Sequence, residues 1–172
     1  MTDLSKFDAP PPRASEPEWG REDFLNTLVG TLSETIEQVV GLNDAETFIG
    51  MVGRRMGQSA AARLPCQGKA TPEEVAEHLK SFKASIGGTF EVESVDGSKL
   101  TFTNSHCPFA SEVNGRPSLC MMTTNVFGRV AADATGYARV NVVESLARGH
   151  GRCLVKVNLE WEDDGDGQEF FG

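Results

Sequence analysis

The sequence predicts an α+β domain, with helices mainly first and antiparallel hairpins after, in the order ααα-ββ-α-ββ. Three observations carry this. Apolar residues recur every three or four positions as far as Phe82, then every second position from Phe90 to Phe102. One further helical stretch separates that alternation from a second one, which ends near Trp161. Glycine-rich breaks at Gly41, Gly87-Gly88, Asp96-Gly97 and Gly149-His150-Gly151 punctuate the segments where the period changes.

A chain of 172 residues is long enough for one domain with a real core and too short for two ordinary ones. Residues 1–20 contain Ala9-Pro10-Pro11-Pro12 and Ser15-Glu16-Pro17-Glu18, which cannot bury enough apolar surface to offset chain entropy. They read as a disordered arm without the apolar run of a signal peptide. Residues 21–161 form the domain, and 162–172 read as a solvated acidic tail. The net charge of −9 and the scattered Lys and Arg argue against a nucleic-acid partner. No stretch approaches the roughly 20 apolar residues of a membrane span. The cytoplasm is the expected compartment, and four cysteines there read as reduced thiols or metal ligands rather than disulfides.

The first helix is expected over Glu22 to Val40, with Phe24, Leu28, Leu32, Ile36 and Val39 on one stripe. Asn43 and Glu46 suggest a capping box for the second. That helix carries Phe48, Ile49, Val52 and Met56, together with Gly50, Gly53, Gly57, Ala60 and Ala61, small enough for close approach in a helical hairpin or a homodimer. Thr71-Pro72-Glu73-Glu74 starts a third helix with a cap, a proline at the first position and acids at the positive dipole end. Val75, Leu79 and Phe82 are its buried side. A hairpin follows, turning at Asp96-Gly97. The fourth helix runs from about Pro117 to Ala134, burying Leu119, Met122, Val126 and Val130. On the last strand Cys153, Val155, Val157, Leu159 and Trp161 share one face.

Cys107 closes a strand in a Cys-Pro-Phe turn, Cys120 lies in the first turn of the fourth helix, and Cys153 projects from the inner face of the last strand. A helix N-terminus favours a thiolate, so a lowered pKa is expected at Cys120. Three thiolates and a fourth ligand would suit an iron–sulfur cluster or a zinc ion. Cys66, His106 and His150 are the alternatives for the fourth position. Buried cysteine also packs as a small hydrophobe, and Cys153 needs no other explanation.

Asn104-Ser105-His106-Cys107-Pro108-Phe109, Pro117-Ser118-Leu119-Cys120, Phe127-Gly128 and Gly149-His150-Gly151-Arg152-Cys153 together resemble the methanogen output domain. They are also similar to 4-vinyl-reductase-type sensory domains and to the cysteine-bearing half of iron–sulfur-sensing repressors of cluster biogenesis. The resemblance covers about residues 85 to 160. It implies a stand-alone regulatory domain in which Cys107, Cys120 and Cys153 hold a cluster, signalling to a partner such as a kinase or regulator. The chain departs from the repressors in having Asn104, Ser105 and His106 where a further cysteine often lies, and in lacking a basic winged-helix region. Two alternatives are a metal-free module that binds a small apolar ligand or dimerises, and a cysteine hydrolase with Cys107 as nucleophile and His106 or His150 as base.

Overall fold

In the computed structural model, residues 20–63 and 70–172 are described. Residues 1–19 and the loop that contains Cys66 lie outside them. Helices α1 (Arg21–Val40), α2 (Leu42–Ala61) and α3 (Pro72–Ser85) lead into the hairpin β1 (Phe90–Asp96) and β2 (Lys99–Asn104). Two 3-10 turns, Ala110–Val113 and Pro117–Leu119, precede α4 (Cys120–Thr135). Strand β3 (Tyr137–Glu144), a third 3-10 turn, β4 (Cys153–Asn158) and β5 (Gln168–Phe171) complete the chain. The five strands form one antiparallel sheet in the order β1-β2-β4-β3-β5. This is the α+β architecture the sequence predicts, with one strand more than expected. Among the described residues no helix is long and apolar enough to cross a membrane.

The core lies between the sheet's inner face and α3 and α4. Alternation puts Leu100 and Phe102 of β2, Val140 of β3, and Val155 and Val157 of β4 inward, all buried. Phe127 of α4 stands over them, its ring 5.1 Å from that of Phe102 and 5.4 Å from that of Phe90. The start of α3 is capped as its sequence specifies. The Thr71 hydroxyl accepts from the Glu74 N–H at 3.3 Å, and the Glu74 carboxylate accepts from the Thr71 N–H at 2.8 Å.

Several expectations are corrected. Asn43 does not cap α2. Gly41, at φ 83°, turns the chain directly from one helix into the next, so α2 already begins at Leu42. The apolar stripe of α1 is not core: Phe24, Leu28, Leu32 and Val39 are exposed, while the small Gly30 and Ser33 face the protein. On α2, likewise, Phe48, Val52 and Met56 point out, and Ala45, Gly50, Gly53, Gly57, Ala60 and Ala61 point in. The small residues allow α4 to approach closely. A Cβ on Gly57 would sit 2.8 Å from the Arg129 Cβ and 3.0 Å from the Asn125 carbonyl. Trp161 is exposed because β4 ends at Asn158, before the alternation reaches it. The segment read as a solvated tail contains β5, which pairs with β3 and buries Phe170 against Gly128.

Candidate functional site

Strand register builds the site. Phe90, Asn104 and Cys153 are direct neighbours across β1, β2 and β4, at the end of the sheet where the Cys-Pro-Phe turn departs. Above this row lie Lys83 of α3 and Leu119, Cys120 and Thr123 around the start of α4. Cys107, Pro108, Phe109 and Val113 close one side, and Val142, Ala147 and Val155 line the remainder. The enclosed cavity measures about 30 Å³, enough for about one water-sized group as it stands.

Cys107, Cys120 and Cys153 all line this cavity, each partly buried. Burial pushes the Cys107 thiol up, against a backbone N–H from Phe109 and the nearby Lys83 charge, which act the other way. Burial pushes Cys120 up to about 11, although a hydrogen bond with the Ser145 hydroxyl opposes the shift. The expectation of a lowered pKa at this helix start is therefore corrected. The Pro117–Leu119 turn runs into α4, and the Cys120 N–H is spent on the carbonyls of Pro117 and Ser118. The helix start thus lacks the free donors that would stabilise a thiolate.

The residue that sequence reasoning missed is Lys83. It continues the α3 stripe of Val75 and Leu79 at a spacing of four, and that spacing was the available signal. Lys83 is only 4% exposed, and its Nζ donates to the Thr123 hydroxyl at 2.9 Å. It lies 5.1 Å from the Phe90 ring centroid and 5.3 Å from that of Phe127, within cation–π range. No carboxylate pairs with it among the described residues. Desolvation lowers its pKa from 10.5 to about 8, while the thiols of Cys107, Cys153 and Cys120 act in the opposite direction.

Asn104, also missed, is 2% exposed. Its Oδ1 accepts from the Thr89 N–H at 3.1 Å, the Thr89 hydroxyl at 3.0 Å and the His106 N–H at 3.3 Å. Those donors fix the orientation of the amide, and among the described residues its buried Nδ2 has no partner.

These side chains, as arranged, fit a resident metal poorly. The two thiols with raised pKa values must shed protons to become ligands, beside an ammonium group that repels a cation. Among the described residues, no three His, Cys, Asp or Glu side chains are grouped closely enough to hold an ion. His106 and His150 are exposed and do not line the cavity. The His150 Nδ1 lies 3.1 Å from the backbone N–H of Ser145. Cys66 lies outside the described residues.

The loop that walls the cavity is also the seat of α1. The Ser118 and Ser33 hydroxyls share a buried hydrogen bond of 2.8 Å, and the Ser118 N–H donates to the Glu37 carboxylate at 3.0 Å. Arg116 joins the Glu34 carboxylate at 2.8 Å. A larger open groove lies on the sheet's outer face, bordered by Lys99, Arg139, Lys156 and Glu162. Lys99 pairs there with Glu162 at 2.8 Å, and Arg139 with Glu169 at 2.7 Å. The closed cavity, which holds an ammonium with no such partner, is the better candidate site.

Residues 24–158 match the family described as methanogen output domain 1. No curated protein matches the chain. Among solved structures, the chain is similar to the phenol-responsive sensory domain of the transcription activator PoxR, crystallised with phenol. The TM-score is 0.57 at 13% identity, over 80% of this chain and 77% of that one. It is also similar to a trafficking protein particle complex subunit 3 from Naegleria fowleri, covalently bound to palmitic acid. There the TM-score is 0.57 at 14% identity, over 81% of this chain and 95% of that one. These two likenesses are of fold.

Proposed function

The chain belongs to the methanogen output domain 1 family, and from that premise we propose that it is a regulatory, sensory domain. It takes a small ligand into the cavity between Lys83, Asn104 and the three cysteines and passes its state to a partner protein. The observation that carries this reading is the cavity itself. Lys83 and Asn104 both line it, one with a desolvated ammonium and the other with a buried amide donor that has no partner among the described residues, and such groups are costly unless something answers them. The two similar folds each carry a ligand, phenol in one and palmitic acid in the other, and this likeness of fold supports ligand capture as a use open to this chain.

The route outward runs through the Cys107-to-Leu119 loop, one side of which walls the cavity while the other holds Ser33, Glu34 and Glu37 of α1. A ligand that moves this loop shifts α1. Helices α1 and α2 expose Phe24, Leu28, Leu32, Phe48, Met51 and Val52, six large apolar side chains on two neighbouring helices. A second copy of the chain is the occupant we assign to this surface, with a signalling partner read through the resulting dimer.

A cluster or zinc ion on Cys107, Cys120 and Cys153 is the second reading, favoured by three thiols on one cavity. It requires the thiols to close together and lose their protons. A cysteine hydrolase would need a base against Cys107, and neither His106 nor His150 lines the cavity.

A thermal-shift screen of small molecules tests the reading, with an Ala147→Ile protein whose added methylenes occupy the cavity. Ligands that raise the wild-type Tm and leave Ala147→Ile unmoved support it. Brown, iron- and sulfide-bearing protein from anaerobic purification, or stoichiometric zinc, would replace it with the metal reading.

A further inference from the structure

We infer that the cavity recognises a small carboxylate, whose oxygens accept from the Lys83 ammonium and the Asn104 amide and whose short apolar end meets Phe90, Phe109 and Leu119. This deepens the ligand-binding reading above and rests on it.

The inference follows from counting donors and acceptors around the void. Lys83 offers three N–H donors, and one hydrogen bond is present, to the Thr123 hydroxyl. Asn104 offers two more on a nitrogen without a partner. Its orientation is not adjustable, because rotating the amide would set that nitrogen against two backbone N–H groups and the Thr89 hydroxyl. Facing these donors are three sulfur atoms, which accept weakly, and otherwise hydrocarbon from Phe90, Pro108, Phe109, Val113, Leu119, Val142 and Val155. The site is rich in donors, poor in acceptors and positively charged. A hydrocarbon ligand would leave both donors unsatisfied, and a neutral hydroxyl or carbonyl oxygen would accept from them without offsetting the ammonium's charge. An anionic oxygen acceptor would satisfy both, in a setting of low dielectric where charge-assisted hydrogen bonds are strongest.

The enclosed volume limits the ligand. A cavity of about 30 Å³ admits only a few heavy atoms unless its walls move. With room for about one water-sized group as it stands, the cavity takes formate or acetate only by a small outward movement of its walls, whereas a long-chain acid would have to displace the Phe109 side altogether. Ordered water alone would answer the donors but bring no charge to the ammonium. The cavity's apolar remainder favours a methyl or short alkyl group over a second polar end.

The test uses the full-length protein and isothermal titration at neutral pH with formate, acetate, propionate and butyrate. Nitrate serves as a planar inorganic anion, acetamide as the neutral analogue of acetate, and phenol as a neutral aromatic. Acetate or propionate should bind at least tenfold more tightly than acetamide or nitrate. Lys83→Met should lose that preference. Asn104→Asp, which retains an oxygen for Thr89 and His106 while replacing the free donor with a negative charge, should abolish carboxylate binding. The wild-type comparison of acetate with acetamide needs no variant, so a misfolded variant cannot protect the inference. Equal binding of acetate and acetamide, nitrate binding without any carboxylate, or retained acetate affinity in a folded Lys83→Met protein would overturn it. Binding of phenol alone would overturn it too, yet leave the sensory reading standing. Silence from every compound would overturn it as well, while the sensory reading would stand or fall on the thermal-shift screen.

Discussion

Replacing Lys83 with methionine should make this protein more stable. The substitution keeps the length and shape of an unbranched side chain and removes a charge that only 4% exposure and one hydrogen bond support. Its pKa falls from 10.5 to about 8, and each unit corresponds to about 1.4 kcal/mol. Holding the ammonium in the folded state at pH 7 therefore costs about 3 kcal/mol relative to the unfolded chain. Losing the hydrogen bond to Thr123 and the cation–π contacts with Phe90 and Phe127 returns about 2 kcal/mol of that, leaving a net gain of about 1 kcal/mol, or roughly 2–4 °C in Tm for a chain of this size. The pH dependence is specific. Lys83 releases its proton near pH 8 when folded and near 10.5 when unfolded, so in between the unfolded state binds more protons and the wild type gains stability as pH rises. Lys83→Met has no such gain, and its advantage should shrink from pH 8 toward pH 10. Burial raises Cys120 to about 11 and raises Cys107 as well, so both thiols cost stability in alkali; because the Lys83 charge lowers Cys107, the comparison is made with Cys107→Ser in both proteins. Urea denaturation followed by circular dichroism at several pH values measures this. A Lys83→Met protein less stable than wild type at pH 7 would refute the reasoning, because it would mean that the contacts of the ammonium outweigh the cost of its burial.

Other consequences are as direct. Gly57→Val should cost about 1–3 kcal/mol, because the new Cβ meets Arg129 and the Asn125 backbone at 2.8 and 3.0 Å, outweighing the gain in helix propensity; chemical denaturation reads it. Leu28→Glu with Val52→Glu, at exposed positions on α1 and α2, should convert the proposed dimer to a monomer in light scattering without lowering the stability of the fold, and a wild type that is already monomeric would contradict that assignment. Phe170→Ala should cost about 3 kcal/mol in denaturation, since its ring is buried against Gly128, whereas a solvated tail would show almost no effect.

What the sequence reveals here depends on how local the governing physics is. The start of α3 is specified within four residues, Thr71 to Glu74, and forms as written. The β1–β2 turn at Asp96-Gly97 likewise needs only its own residues and a glycine at φ 55°. Periodicity identifies the apolar stripe of α1 without saying what covers it, and that stripe lies exposed, whereas the small residues of α2 mark a close helix–helix contact, made with α4. Glycine and alanine, which contribute little hydrophobicity, turned out to mark the face packed inward. Strand β5 escaped notice because an acidic run hides four residues whose pairing with β3 is not local.

The site was half legible. The convergence of Cys107, Cys120 and Cys153 on one cavity follows from their element positions and the strand alternation, and the structure places them there. Their protonation could not be read, because burial outweighs the helix-start effect at Cys120 and depends on the packing of the whole loop. Lys83 was obscured by its type. A lysine four residues after Leu79 reads as the edge of a stripe unless one asks what its ammonium would meet. Asn104 was visible in the Asn-Ser-His-Cys-Pro run, but its fixed amide and orphaned nitrogen emerge only from the hydrogen bonds of the folded chain.

The central claim is that occupancy of this cavity is transmitted to α1. Nuclear magnetic resonance of the isotopically labelled full chain, titrated with a ligand found by the thermal-shift screen, tests it most directly. The account predicts shifts at Phe90, Asn104, Cys107 and Cys153, accompanied at the same ligand concentration by shifts at Ser118, Ser33 and Glu37. Shifts confined to the outer groove around Arg139 and Lys156, or to the cavity with α1 unmoved, would contradict it.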